Sequence, residues 1–140
     1  MIDFATTTAF RLVRRLVLGE GSTAMYLLIH TEEAQLAIET DLIEEVEVQI
    51  GDKLVIGQVE AIESHDGGPI RVFWIDRVSP QLVGLLDTHV VRLERTGAQF
   101  LFLTTRPLAD QLLTAAPNFR NRLTEVMQIV PDDLSGGFPR

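Results

Sequence analysis

A chain of 140 residues with 46% hydrophobic and 23% charged side chains has the makeup of one globular domain, not of a disordered polymer. The absence of cysteine excludes disulfides and thiolate metal sites, and three scattered histidines (His30, His65, His89) form no ligand cluster, so neither a metal nor another cofactor is expected. The net charge of −8 is unevenly placed: residues 1–70 hold 13 acidic against 4 basic side chains and residues 71–140 hold 7 against 8, a balance that argues against nucleic acid and for a partner with a basic surface.

The apolar runs Met25–Ile29 and Phe100–Leu103 fall far short of the roughly 20 residues of a membrane span. Asp3 stands where a secretory leader would carry positive charge. The expected compartment is the cytoplasm, with no membrane partner.

Thr6 to Leu18 predicts an amphipathic helix, with Phe10, Leu12, Val13, Leu16 and Val17 on a wide apolar face and Arg11, Arg14 and Arg15 opposite. Gly19 and Gly21 stop it. Ala24 to His30 is a near-continuous apolar run, the pattern of a strand covered on both faces in a parallel sheet. Thr31 then offers an N-cap, and Glu32 and Glu33 complement the positive end of the dipole of a helix reaching about Glu44.

Val46, Val48 and Ile50 alternate with Glu45, Glu47 and Gln49, which predicts a strand with one polar face near a sheet edge. Residues 52–64 admit two readings: a helix capped by Asp52 that buries Leu54, Val55, Val59 and Ile62, or a Gly51-Asp52 hairpin turn into a strand through Val59. The α-spaced apolar positions run on to Ile62 and favour the helix.

His65 to Pro69 is a loop, and Ile70 to Val78 a buried strand ending at Asp76. Ser79-Pro80 opens a helix by the N-cap plus N1-proline rule, and Leu82, Leu85, Leu86, His89, Val90 and Leu93 line its inner face. Gln99 to Thr104 is another apolar strand. Pro107 starts a short helix through Ala116, Pro117-Asn118 breaks it, and Leu123 to Val130 is the last strand.

Strands separated by helices of this length predict βαβ units, hence an α/β three-layer sandwich on a mostly parallel sheet of about five strands. Residues 1–131 form a single α/β domain in this reading, and 132–140 a flexible C-terminal tail.

Ligands of open parallel sheets bind outside the carboxyl ends of the strands. The informative positions are therefore His30, Thr31, Glu32 and Glu33; Asp76 and Arg77; and Thr104, Thr105 and Arg106. Of these, Glu32, Glu33, Asp76, Thr104, Thr105 and Arg106 are the binding candidates. Each also has a plain reading. The helix dipole accounts for Glu32 and Glu33, Asp76 can pair with Arg77, Arg106 or Arg120, and Thr104 or Thr105 can cap the helix begun by Pro107. His89 and the alternating pair Phe73 and Trp74 read as core or boundary residues, with Phe73 and Trp74 facing opposite helix layers.

The apolar strand ending in Asp76, the helix after it, and the apolar strand ending in Thr104-Thr105-Arg106 resemble the central portion of P-loop ATPases of the AAA+ and STAND kind. In that family an acid at one strand end binds Mg²⁺ and a polar residue at the next senses the γ-phosphate. Pro117 to Arg122 resembles the arginine-bearing segment after that sensor strand. The resemblance implies a degenerate module, because the family's phosphate loop and its lysine are missing: Gly19-Glu20-Gly21-Ser22-Thr23 precedes the first apolar strand, contains an acid and has no lysine. Arg77 stands where an activating glutamate would follow Asp76.

The alternation also resembles, more weakly, receiver domains of response regulators, with Glu32, Glu33, Asp76 and Thr104 or Thr105 at the corresponding strand ends. Val130-Pro131 occupies the place of the receiver's lysine-proline pair, which implies a pseudo-receiver at most. With LVRRLVLGEG and the strand AMYLLIH where an ATPase would have its nucleotide loop, the arrangement also resembles the degenerate, P-loop-free α/β modules of bacterial signalling and conflict proteins, which implies recognition and scaffolding.

The resulting expectation is a non-enzymatic protein-interaction or signalling adaptor, with no catalytic residues and self-association left open. The alternative is a nucleotide-dependent or phosphotransfer regulator using Asp76 with Thr104 or Thr105.

Overall fold

In the computed structural model, which describes residues 5–19, 23–62 and 70–130, the chain enters a sheet before its first helix. Ala5–Thr7 is a short strand (β1), and Thr8 caps the helix Ala9–Leu18 (α1), its hydroxyl accepting from the Arg11 N–H at 3.3 Å. The helix expected from Thr6 therefore begins later, because Thr8 supplies a cap and Thr6 and Thr7 pair with the last strand. Ala24–Ile29 (β2) is buried at every position, as its unbroken apolar sequence requires.

Residues 32–50 form one continuous helical run (α2). It has a tight first turn, Glu32–Ala34, one α-turn, Gln35–Ala37, a widened stretch, Ile38–Ile43, and a regular end, Glu44–Ile50. This corrects the strand expected over Val46–Ile50. In a strand Val46 and Val48 would share a face; here Val46 is 0% exposed and Val48 75%, the separation of positions two apart on a helix.

Gly51 ends α2 in the left-handed conformation (φ 75°), with its N–H and that of Asp52 both donating to the Glu47 carbonyl. The Glu47 carboxylate then receives the Leu54 N–H at 2.9 Å and steers the chain into Val55–Gln58 (β3). Over the described residues 52–62 the helix reading fails, and of the second reading the strand is present but not the hairpin: β3 pairs parallel with the next strand, and a single tight turn, Val59–Ala61, follows it. Four residues paired to a distant strand leave no local signature of either a helix or a hairpin.

Ile70–Trp74 (β4) is wholly buried. Ser79 and Pro80 open the helix Pro80–Glu94 (α3) as expected, the serine hydroxyl accepting from the Leu82 N–H at 3.2 Å. Gln99–Thr104 (β5) is followed by the helices Arg106–Ala115 (α4) and Pro117–Arg122 (α5) and the strand Glu125–Ile129 (β6). Pro117 ends α4 and starts α5, since proline at the first helical position forfeits no bond. The loop expected at His65 to Pro69 and the C-terminal tail lie outside the described residues.

The six strands form one parallel sheet in the order β1-β6-β2-β5-β4-β3. It is an α/β three-layer sandwich. On one face α1 and α2 cover Tyr26, Leu28, Val72, Trp74, Leu101 and Leu103. On the other, α3, α4 and α5 cover Met25, Leu27, Ile29, Phe73, Phe100 and Phe102. Phe73 and Trp74 thus face opposite layers, as the strand period demands.

Phe102 anchors the second layer, 6.1 Å from Phe73 and edge-on to Phe119 of α5 at 5.1 Å between ring centroids. On the first face Arg15 leaves the arginine row of α1, lies over the Tyr26 ring and pairs with Glu125. Burial works to lower the pKa of Arg15, but its bond to Glu125 and its contact with Tyr26 outweigh that and hold it above its ordinary value. Among the described residues no helix is long and apolar enough to cross a membrane.

Candidate functional site

After β2 the chain leaves toward the α1/α2 face, whereas after the adjacent β5 it leaves toward the α3/α4/α5 face. Two neighbouring parallel strands whose connections part in this way open a crevice at their carboxyl ends. A cleft of about 260 Å³ lies there, lined by His30, Glu32, Gln35, Ile75, Asp76, Thr105 and Leu108.

Its floor is a row of hydrogen bonds to the end of β5 that carries the sheet one residue beyond β2 and β4. The His30 N–H donates to the Thr104 carbonyl at 2.9 Å, and the Ile75 N–H donates to the Leu103 carbonyl at 2.8 Å. The Thr104 hydroxyl donates to the Ile75 carbonyl at 2.9 Å. These bonds fix three strand ends against one another before any ligand arrives.

Three of the candidate residues meet in the cleft: Glu32 from the first turn of α2, Asp76 past the end of β4, and Thr105 at the start of α4. Thr105 occupies the cap position of α4, but its side chain makes no capping bond. Thr104 is 1% exposed with its hydroxyl committed to Ile75, so it shapes the floor and presents nothing to a ligand.

The remaining two candidates do not line the cleft. Glu33 is exposed beside it. Arg106 turns toward β6, with Nε 3.6 Å from Asp110 and one guanidinium nitrogen donating to the Gln128 amide oxygen at 3.4 Å. Arg77 reaches Glu60 at 3.9 Å. No ion pair among the described residues involves Asp76, which is exposed.

The residue that sequence reasoning noted as a strand end but did not select is His30. It is 6% exposed and stands edge-on to Trp74, with ring centroids 5.4 Å apart. Its Nδ1 lies 2.8 Å from the Thr31 carbonyl. A carbonyl only accepts, so Nδ1 carries the hydrogen, and in the neutral ring Nε2 is a lone-pair acceptor. That Nε2 is buried and meets no partner. A buried polar atom left in this state costs about 1–3 kcal/mol.

The electrostatics of the cleft have one sign. Two carboxylates, a histidine acceptor, an amide and a hydroxyl line it, with no lysine or arginine among the lining residues. The turn from β2 into α2 is only His30 and Thr31 and contains no glycine. Successive backbone amides that would cradle a phosphate cannot be arranged in so short a connection. Among the described residues no three acids or histidines stand close enough together to hold a metal ion.

A larger hollow of about 700 Å³ lies at the opposite ends of the strands, between the start of β2 and α5. Several of its polar groups are used internally. Thr124 exchanges hydrogen bonds with Met25, its N–H donating at 2.7 Å and its hydroxyl accepting at 3.0 Å, and the Asn118 amide donates to the Asp87 carbonyl at 2.8 Å. The smaller cleft is the candidate site because it sits at the switch point and holds an acceptor without a donor.

No protein-family model matches the chain, and the search of curated proteins found no match. Among solved structures the DnaC helicase loader is similar over 91% of this chain and 94% of that chain, at 9% identity and a TM-score of 0.49. The chemistry of the cleft rests on its own residues.

Proposed function

We propose that the chain is a non-enzymatic interaction module, an adaptor of the signalling type, that recognises a basic surface of another protein through the cleft at the ends of β2, β5 and β4. The observation that supports this reading is the charge of the cleft. Glu32 and Asp76 share it, no lysine or arginine among the described residues lines it, and a two-residue turn stands where a phosphate-binding loop would follow β2. A nucleoside triphosphate brought there meets like charge and no amide cradle, whereas a cationic partner group meets opposite charge. The acidic first half of the sequence extends the same field.

The second reading, a nucleotide-dependent or phosphotransfer regulator, draws support from the shared position of Asp76 and Thr105 in one cleft. It lacks a bridging lysine, and the Thr104 hydroxyl is already bonded to Ile75. Titration calorimetry with Mg-ATP, Mg-GTP and a beryllofluoride phosphoryl mimic separates the two readings. The adaptor reading expects no saturable heat. Saturable binding that disappears in Asp76→Asn would establish the second reading in its place.

A further inference from the structure

The unpartnered Nε2 of His30 and the two carboxylates of the same cleft specify more than a charge preference. Resting on the adaptor reading, we propose that the cleft is a receptor for a single guanidinium group, carried by an arginine side chain of the partner protein.

His30 is more than nine-tenths buried, lines the cleft, and has its Nδ1 hydrogen engaged by the Thr31 carbonyl; the acceptor Nε2 has no donor. Glu32 and Asp76, when ionised, only accept. The neutral His30 acceptor and both carboxylates therefore ask for donors, and they come from separate elements: the end of β2, the first turn of α2 and the end of β4. One ligand that serves all of them must donate in several directions from a compact centre. A guanidinium does so, with five N–H donors in a rigid plane and weaker hydration than an ammonium.

Size points the same way. At about 260 Å³ the cleft falls below the roughly 300–1,000 Å³ of pockets that enclose whole small-molecule ligands. It suits the end of one side chain. Leu108 and Ile75 supply apolar lining along which the methylene stem of an arginine can lie. The bonded row of His30, Thr104 and Ile75 fixes the backbone at the strand ends beside which these acceptors stand.

Nitrogen NMR of the His30 ring in the full chain reads this site directly. Methylguanidinium should move the Nε2 resonance saturably toward the hydrogen-bonded range, and methylammonium should bind more weakly. Glu32→Gln and Asp76→Asn should each weaken methylguanidinium by about twofold to fivefold, the range of solvent-exposed ion pairs. His30→Phe, which keeps a ring against Trp74, should weaken it further. An unmoved Nε2 resonance, or methylammonium binding as tightly as methylguanidinium, overturns the proposal, and wild-type protein suffices for both measurements.

Blocked arginine, N-acetylated and C-amidated, against free arginine separates the sources. Equal or tighter binding of the blocked form supports a protein side chain. Tighter binding of free arginine overturns the protein source. Failure of the underlying reading shows itself differently, as Asp76-dependent binding of nucleotide or phosphoryl mimic in the calorimeter.

Discussion

The Thr104 hydroxyl is donated to the Ile75 carbonyl at 2.9 Å, joining the ends of β5 and β4 at the floor of the cleft through a side chain that is 1% exposed. Thr104→Val keeps the shape and removes the donor, leaving a buried carbonyl short of a partner. A loss of about 1–3 kcal/mol is expected in urea denaturation, with Thr104→Ser retaining most of the stability. A valine variant as stable as the parent would show that this bond does not brace the site.

Asp87 of α3 holds the start of α5 in place. Its carboxylate accepts the Phe119 N–H at 2.9 Å, and its carbonyl accepts from the Asn118 amide at 2.8 Å. The carboxylate acts as a helix cap contributed by a neighbouring helix. Asp87→Ala should destabilise by about 0.5–2 kcal/mol, the range of lost caps. Phe119, fully buried and edge-on to Phe102, should then gain solvent access. Hydrogen exchange at the Phe119 amide gives the local reading, and unchanged protection there would contradict it.

The interior of the fold was legible because β2, β4 and β5 are apolar at nearly every position, and only a sheet covered on both faces accommodates such runs. Its margins were not. β1 and β3 are three and four residues long and take their conformation from strands distant in sequence, so no local period announces them. The Val-Glu alternation of residues 45–50 fits a half-buried strand and one side of a helix equally well. What decided between them lies at the end of the run: the Glu47 carboxylate binding the Leu54 N–H, and Gly51 closing the helix with positive φ.

At the site, Glu32, Asp76 and Thr105 followed from the strand-end rule alone. Gln35 and Leu108 lie a turn into their helices and become lining residues only once β2 and β5 are known to be neighbours. His30 was visible as a strand end, but its unpaired Nε2 is a property of packing. Arg106 was misplaced by the same rule, since its partners, Asp110 and Gln128, draw it toward β6.

Gly19 is required by a close approach, not by its dihedrals, which are ordinary at φ −86°. A Cβ built there falls 2.7 Å from the Gln99 Oε1 and 3.0 Å from the Arg15 carbonyl. Gln99 cannot easily retreat, because it is 0% exposed and its amide donates to the Leu16 carbonyl at 2.8 Å. Gly19→Ala should cost about 1–3 kcal/mol through this overpacking. A double-mutant cycle with Gln99→Ala should show the two positions strongly coupled; additive effects would place the strain elsewhere.

The carboxylates of the cleft offer the sharpest contrast between structure and function. Glu32 and Asp76 are exposed and carry like charge in one cleft, and no described ion pair involves either. If they served the fold, neutralising them would destabilise it; if they serve a ligand, it would not. Glu32→Gln, Asp76→Asn and the double variant should therefore stay within about 0.5 kcal/mol of the parent in urea denaturation, as surface substitutions away from structural features do, or gain slightly from relieved repulsion. Glu32 also loses its favourable place at the helix start, which limits any gain from that variant. A loss above about 1 kcal/mol in Asp76→Asn would mean that this carboxylate is a structural partner and would remove the charge argument on which the binding reading stands.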